Sequence, residues 1–264
     1  MNELYRHHEE SINNVIEYFK KEPEVEALLL GGSIAHGFAV PASDVDVMML
    51  VSDQHFEERL SQGRLTFYNK ELCTYAEGYV DGKYLGVSHL KRVAEKGSEP
   101  SRFAFQDARV LFSRGESLDQ QLRSIARYPV EGKAERLRRF YAQFEAWNWY
   151  ASEGLRLGNR YLLGLAVSKL VLFGGRLILT HNEILYPYHK WFLRVLEGAK
   201  DKPPALLQSI ENLYQGASTE NVRQYYELVK NFRDWGMMPT TWPAQFMLDS
   251  ELNWQTGATP IDDL

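Results

Sequence analysis

Hydrophobic positions near the start of the chain recur at helical spacing. Leu4, Ile12, Val15, Ile16 and Phe19 fall among charged residues over positions 3–21, and Pro23 follows. That pattern predicts an amphipathic opening helix with proline as its stop. Residues 25–30 form a short, mostly apolar run that ends on Gly31-Gly32-Ser33, which predicts a buried strand feeding a glycine turn. Over residues 43–51 the chain alternates through Ser-Asp-Val-Asp-Val and then becomes continuously apolar, as in a second core strand with its polar positions at one end. Residues 74–80 and 83–88 flank Asp81-Gly82, a dipeptide suited to a two-residue turn because both positions tolerate positive φ, so an antiparallel hairpin is expected there. Residues 88–97 read as a helix and residues 108–113 as a further short strand.

From residue 131 the patterns become long and helical, at 134–157, 161–180, 189–196, 204–213 and 219–234, with no strand alternation. The expected fold class is therefore α+β: a mixed sheet with flanking helices over residues 1–128, then an all-helical domain over 129–264. The tail from Met237, with Pro239, Pro243 and Pro260, reads as irregular. There is no internal repeat and no low-complexity tract.

Charge and cysteine content narrow the function classes. Thirty Lys and Arg against 35 Asp and Glu leave a net charge of −5, which supplies no basic surface for general nucleic-acid binding. The lone Cys73 can form neither an intramolecular disulfide nor a multi-cysteine zinc site. Residues 161–180 are about as long as a membrane span, yet Lys169 and Arg176 interrupt them, and a central charge costs roughly 2.5–3.5 kcal/mol on insertion scales. A buried helix is expected rather than a membrane span. The N-terminus carries acids and no apolar run, unlike a signal peptide, so the expected location is cytoplasmic.

The chemistry lies at residues 31–46. A two-residue period puts Asp44 and Asp46 on one face while Val45 and Val47 point into the core. Paired carboxylates repel unless a divalent cation neutralises them, and a hard oxygen pair with open positions suits Mg²⁺ bridging to phosphate. The Gly31-Gly32-Ser33 turn supplies backbone N–H groups and a hydroxyl that can approach a phosphate closely.

The segment LLLGGSIAHGFAVPASDVDVMMLV resembles the signature of the DNA polymerase β-like nucleotidyltransferase superfamily. The resemblance implies that Gly32 and Ser33 hold a nucleoside triphosphate, with ATP the first choice, and that Asp44 and Asp46 hold Mg²⁺. The layout of an α/β domain followed by a helical one is similar to the kanamycin-type aminoglycoside nucleotidyltransferases. That implies transfer of a nucleoside monophosphate to a hydroxyl of a small acceptor lying between the two domains, the second domain binding the substrate. It also implies a glutamate base on an early helix of that second domain, where Glu145 and Glu153 are available and Glu153 is the better placed. The family further implies a third acid on a neighbouring strand. If Leu85 and Val87 face the core, the slot between them is Gly86, and that carboxylate is missing.

The remaining residues have two readings each. His36 can contact the triphosphate or cap the following turn, Glu153 can be a base or an ion-paired surface residue, and Asp81 reads as a turn residue ahead of metal binding. Asp107 could approach the site from the strand that follows it. Tyr186, Tyr188, His189, Lys190 and Trp191, like Trp147, Trp149 and Tyr150, can stack a ring or simply pack. A homodimer is compatible with all of this. Two functions stand: a metal-dependent nucleotidyltransferase, or a catalytically weak nucleotide-binding or regulatory protein that has lost the third acid at Gly86.

Overall fold

The structure, a computed structural model, describes residues 4–236, 241–255 and 257. The chain divides into two compact units, Met1–Arg127 and Tyr128–Leu264.

In the first unit the order is α1 (Arg6–Lys20), β1 (Val25–Leu30), the single turn α2 (Gly32–Ala35), β2 (Val45–Val51), α3 (Asp53–Ser61), β3 (Thr66–Asn69), β4 (Val80–Gly86), α4 (Ser88–Lys96), α5 (Glu99–Gln106), β5 (Arg109–Ser113) and α6 (Asp119–Ala126). The five strands form one mixed sheet in the order β3-β4-β2-β1-β5. β1 pairs antiparallel with β2 and β5, β3 pairs antiparallel with β4, and β2 and β4 run parallel. A parallel pair needs a long crossover, here α3 and β3. The period of two sorts the side chains into two layers. On one face Ile12, Val15 and Phe19 of α1 pack on Val25, Leu28, Leu30, Val45, Val47, Met49, Val80 and Tyr84. On the other, Leu90, Val93, Phe105, Leu122 and Ile125 from α4, α5 and α6 pack on Ala27, Leu29, Met48 and Leu50. Side chains this deeply buried contribute roughly 1.5–3 kcal/mol each.

Two expectations fail here for one reason. Asp81 and Gly82 do not turn: they lie inside β4, one continuous strand from Val80 to Gly86, whose antiparallel partner is β3. Both faces of this strand are covered toward its C-terminal end: Leu85 packs against the α4–α6 layer, as expected, but the alternate positions expected to be polar are buried as well. Val80, Gly82 and Tyr84 face the α1 layer, Tyr84 being 8 % exposed beneath the Arg59 guanidinium 3.7 Å above its ring, whereas Val87 is exposed. Gly82 suits an interior strand position because a Cβ there would already touch Met49 and Val47 at 3.0–3.1 Å.

The second unit is helical: α7 (Lys133–Leu157), α8 (Arg160–His181), α9 (Phe192–Glu197), α10 (Leu206–Gln215), α11 (Thr219–Lys230) and α12 (Trp242–Phe246). Gly158, at φ +63°, closes α7 in the left-handed conformation, and the Asn159 side chain caps the start of α8 by accepting from Leu162 N. Phe144, Leu170, Leu177, Ile178, Leu196 and Tyr225 form the centre of its core. Among the described residues α8 is the one helix long and apolar enough to cross a membrane, and half of its most apolar window is buried within the unit. Its Arg176 is held between the rings of Phe140 and Tyr186, each 4.3 Å away. The tail expected to be irregular is helical over 242–251, with Pro243 in the first turn of α12, where a missing N–H costs nothing. Pro239 and Pro260 lie outside the described residues.

Candidate active site

β1 ends at Leu30, and Gly31 N donates to the Asp46 carbonyl at 2.9 Å, which ties the glycine turn directly to β2. Gly32 has φ +60°, and a Cβ built there would lie 2.6 Å from Asp46 Cβ with the carboxylate nearer still. Only glycine lets the backbone rest on the Asp46 side chain in this way. Ser33 follows, 4 % exposed, with its Oγ buried and without a hydrogen-bond partner. An unmet buried hydroxyl costs about 1–3 kcal/mol, a cost that a ligand oxygen would offset.

Asp46 lies on the sheet face that also carries Met48 and Leu50, and alternation places Asp44 on the same side. The approach to Asp44 is fixed from α1 and from the loop ahead of β4. His8 Nε2 bonds the Ser43 carbonyl at 3.0 Å, the Tyr75 hydroxyl donates to the same oxygen at 2.5 Å, and His7 Nε2 bonds the Pro41 carbonyl at 2.9 Å. Burial pushes the His8 imidazole below its ordinary pKa, with the neighbouring His7 acting the same way. The Tyr79 hydroxyl donates to the Asp44 carboxylate, and its pKa is raised first by the Asp44 charge, then by this bond and burial, with smaller contributions from Asp46 and Asp81.

The parallel register of β2 and β4 sets Asp81 directly opposite Asp46, on the same face, while Tyr68 of β3 stands opposite Asp81. This overturns the inference that the third acid is lost at Gly86. Gly86 pairs with Val51 at the far end of β2 from Asp46, where a Cβ would overlap Asp53 Oδ1, the oxygen that accepts from Ser88 N and Ser88 Oγ at the start of α4. Asp81 is exposed and is not a turn residue. The repeated dipeptide Val-Asp, at 45–46 and again at 80–81, was the available sequence signal for this pairing.

His36 follows the turn, its N–H donating to the Gly32 carbonyl at 3.1 Å. Its ring stacks on Phe103 at 4.4 Å, and Nδ1 bonds Asp107 Oδ2 at 2.8 Å, so Asp107 reaches the turn through His36. A carboxylate can only accept, so Nδ1 carries the proton and Nε2 is the second hydrogen-bonding atom.

Glu153 lies in the second unit, on α7, where Arg156 Nε and Nη2 hold its carboxylate at 2.6–3.2 Å and lower its pKa. A carboxylate held charged in this way is a weak proton acceptor. Glu145 is buried and saturated: it accepts from the Tyr141 hydroxyl at 2.5 Å and the Tyr226 hydroxyl at 2.7 Å, with Lys230 Nζ 3.4 Å away. Tyr186 is buried and packs on Phe192, and Trp147 donates to Gln143, while Tyr188 and Trp149 are exposed.

No three His, Cys, Asp or Glu side chains among the described residues form a ready-made metal cluster. The donor set still fits Mg²⁺, which commonly takes one or two carboxylates and completes its shell with water and substrate phosphate. Asp44 and Asp46 supply such a pair of hard oxygens beside a turn with an unmet buried hydroxyl, and Asp81 stands on the next strand.

Residues 13–72 match the family model described as "Polymerase beta, Nucleotidyltransferase", a span that holds β1, the glycine turn and β2. Among solved structures, the chain is similar to a nucleotidyltransferase-like protein from Exiguobacterium sibiricum 255-15, at 11% identity and a TM-score of 0.47, covering 97% of this chain and 83% of that one. Among curated proteins none matches the chain.

Proposed function

We propose, for a chain that belongs to the polymerase β-like nucleotidyltransferase superfamily through its residues 13–72, that it transfers a nucleoside monophosphate from a nucleoside triphosphate, ATP in first place, to a hydroxyl of a small molecule. The observation that carries this reading is one row of groups across the sheet: the unmet Ser33 hydroxyl on the glycine turn, Asp46 beneath it, and Asp81 in register beyond.

In this reading Gly32 N–H and Ser33 Oγ bind phosphate oxygens and orient the triphosphate. Asp44 and Asp46 would hold Mg²⁺. When bound, that ion supplies Lewis-acid stabilisation of charge on the transferring phosphoryl group. Tyr79 keeps Asp44 in place through its hydroxyl, and His8 and Tyr75 do so through the preceding Ser43 carbonyl. Asp81 accepts the proton of the acceptor hydroxyl as its oxygen bonds to the α-phosphorus. The bond from that phosphorus to the bridging oxygen breaks, and pyrophosphate leaves with the electron pair. His36, fixed by Asp107 and Phe103 just after the turn, would contact the triphosphate through Nε2. No role falls to Glu153, whose carboxylate Arg156 already holds. The reading as a weak, regulatory nucleotide binder rested on the loss of an acid at Gly86, and Asp81 removes that ground.

The test is calorimetric titration of ATP, GTP, CTP and UTP, with and without Mg²⁺, into the wild type and the Asp44→Asn/Asp46→Asn double variant. Metal-dependent binding that vanishes in the variant is expected. Binding of no nucleotide, or binding indifferent to both metal and variant, sinks the proposal.

A further inference from the structure

Beyond the carboxylates the same row continues into an aromatic pair, of which the reaction so far uses only the Tyr79 hydroxyl, on Asp44. Tyr68 stands on the edge strand β3, in register with Asp81 and 61 % exposed. Its ring and that of Tyr79 are 5.3 Å apart, tilted by 34°. Tyr79 N-terminally extends β4, since its carbonyl accepts from Val45 N at 3.0 Å, and the period of two puts it on the face of Asp81. Tyr68, exposed on the edge strand, contributes little to the core, because Phe67, its neighbour on β3, is the residue that packs inward, and Tyr79 beside it is half-buried.

The order of the groups across the sheet gives the pair a role. Phosphoryl transfer places the attacking and leaving oxygens roughly in line on opposite sides of the phosphorus. The glycine turn, at the β1 side of Asp46, would hold the leaving pyrophosphate, so the acceptor hydroxyl must arrive from the opposite side, where β4 and β3 carry Asp81, Tyr79 and Tyr68. We propose that Tyr68 and Tyr79 form the acceptor platform, and that the acceptor is a neutral sugar ring stacked on Tyr68 with an edge hydroxyl directed at Asp81.

The chemistry of the platform selects this class. A flat aromatic face is matched by the C–H face of a saturated ring, which leaves the ring's equatorial hydroxyls pointing outward along its edge. Those hydroxyls are donors, and the groups beside the platform, Asp44, Asp46 and Asp81, are acceptors. With Asp44 and Asp46 engaged by a cation, the exposed Asp81 is the charge that faces the acceptor, and it disfavours an anionic ring such as a sugar phosphate. An acyclic polyol offers the hydroxyl without a face to stack.

This inference rests on the nucleotidyltransferase reading for its direction of attack, and the test separates the two. Transfer of label from α-labelled ATP is measured to methyl glucoside, glucose 6-phosphate and sorbitol, with wild type, Tyr68→Phe and Tyr68→Ala. Methyl glucoside should be the best of the three. Tyr68→Ala should raise its KM about threefold to tenfold, the range that aromatic contacts provide, with the KM for ATP unchanged, and Tyr68→Phe should behave as wild type. A sugar KM unmoved by Tyr68→Ala overturns the platform, and so does sorbitol or glucose 6-phosphate matching methyl glucoside. So does an enzyme that binds Mg–ATP and transfers to none of the three. Ring-resonance shifts of Tyr68 and Tyr79 on adding methyl glucoside alone need no nucleotide. A protein that fails the Mg–ATP titration but shows these shifts loses the transferase reading and keeps the platform; absence of the shifts overturns the platform by itself.

Discussion

Gly32→Ala separates two costs that the glycine turn combines. Position 32 has φ +60°, a conformation in which an L side chain loses about 1–2 kcal/mol, and its new Cβ would also stand 2.6 Å from Asp46 Cβ. Gly37 isolates the first cost: it has φ +69° and nothing within 4 Å of the position its Cβ would take. Gly37→Ala should therefore lose about 1–2 kcal/mol and leave the carboxylates where they are. Gly32→Ala must also drive Asp46 off its rotamer and lift the turn, for a total of roughly 2–4 kcal/mol. With a urea slope of about 2 kcal/mol per molar, the midpoint falls by about 0.5–1 M for Gly37→Ala and about 1–2 M for Gly32→Ala. All six tryptophans, 147, 149, 191, 235, 242 and 254, lie in the second unit, so the loss should appear in far-ultraviolet circular dichroism and leave the tryptophan transition in place. Mg–ATP titration should survive Gly37→Ala and vanish in Gly32→Ala. In an Asp46→Gly background the clash is gone, since the Asp46 Cβ is removed with the carboxylate, and Gly32→Ala should then cost no more than Gly37→Ala. Equal penalties for the two substitutions in the wild type, or an excess that persists without the Asp46 side chain, would refute the close approach.

Asp81→Asn should cut transfer by orders of magnitude with the fold intact, whereas Gly86→Asp should give no gain and should destabilise the first unit, because the new side chain meets Asp53 Oδ1; steady-state rates and urea midpoints of the pair decide this. Glu145→Gln removes the charge shared by the Tyr141 and Tyr226 hydroxyls and Lys230, and about 1.5–3 kcal/mol should be lost from the second unit, read by tryptophan fluorescence; an unchanged midpoint would show the cluster to be dispensable. His8 and His89 both have imidazole pKa values lowered chiefly by burial. The unfolded chain binds their protons near the ordinary value of about 6.5, so stability is full above that pH and falls as pH drops from there through the folded values. His89→Gln should flatten the decline measured between pH 7.5 and 5.5, values set at about one unit either side of 6.5.

The parts of the fold that were legible from sequence are those whose signal is local. β1, the turn and β2 were visible because an apolar run stops on Gly31-Gly32-Ser33 and a clean alternation opens the next strand. α7 and α8 were visible to within a residue or so because long helical periods average out single exceptions. α12 was hidden by Pro243, which reads as a breaker but sits in a first turn. β4 was misread because Asp81-Gly82 is also what a hairpin needs, and it is the pairing of Gly82 with Val47 on one side and Phe67 on the other that marks it as interior. That error carried Gly86 into the wrong role and hid Asp81, since parallel register joins residues that nothing in the local pattern links. The platform tyrosines were missed for the same reason.

Placing three carboxylates at one end of a sheet works against the stability of the unit that carries them. Paired strands lie about 4.8 Å apart, and at an effective dielectric of 20 two unit charges at that distance repel by roughly 3 kcal/mol, reduced to about 1 kcal/mol or less where one partner is as exposed as Asp81. The fold relieves part of this locally, through the Tyr79 hydroxyl on Asp44 and the closure of the glycine turn over Asp46. The remainder is what a cation would relieve, so Asp81→Asn should make the ligand-free unit somewhat more stable even as it removes the proton acceptor. Stability and function then move in opposite directions at one residue, as expected of a group retained for chemistry. At Glu145, which holds α7 to α11 through Tyr226, the same exchange of acid for amide should lower stability, because there the carboxylate is met by two hydroxyls and an ammonium instead of by its own kind.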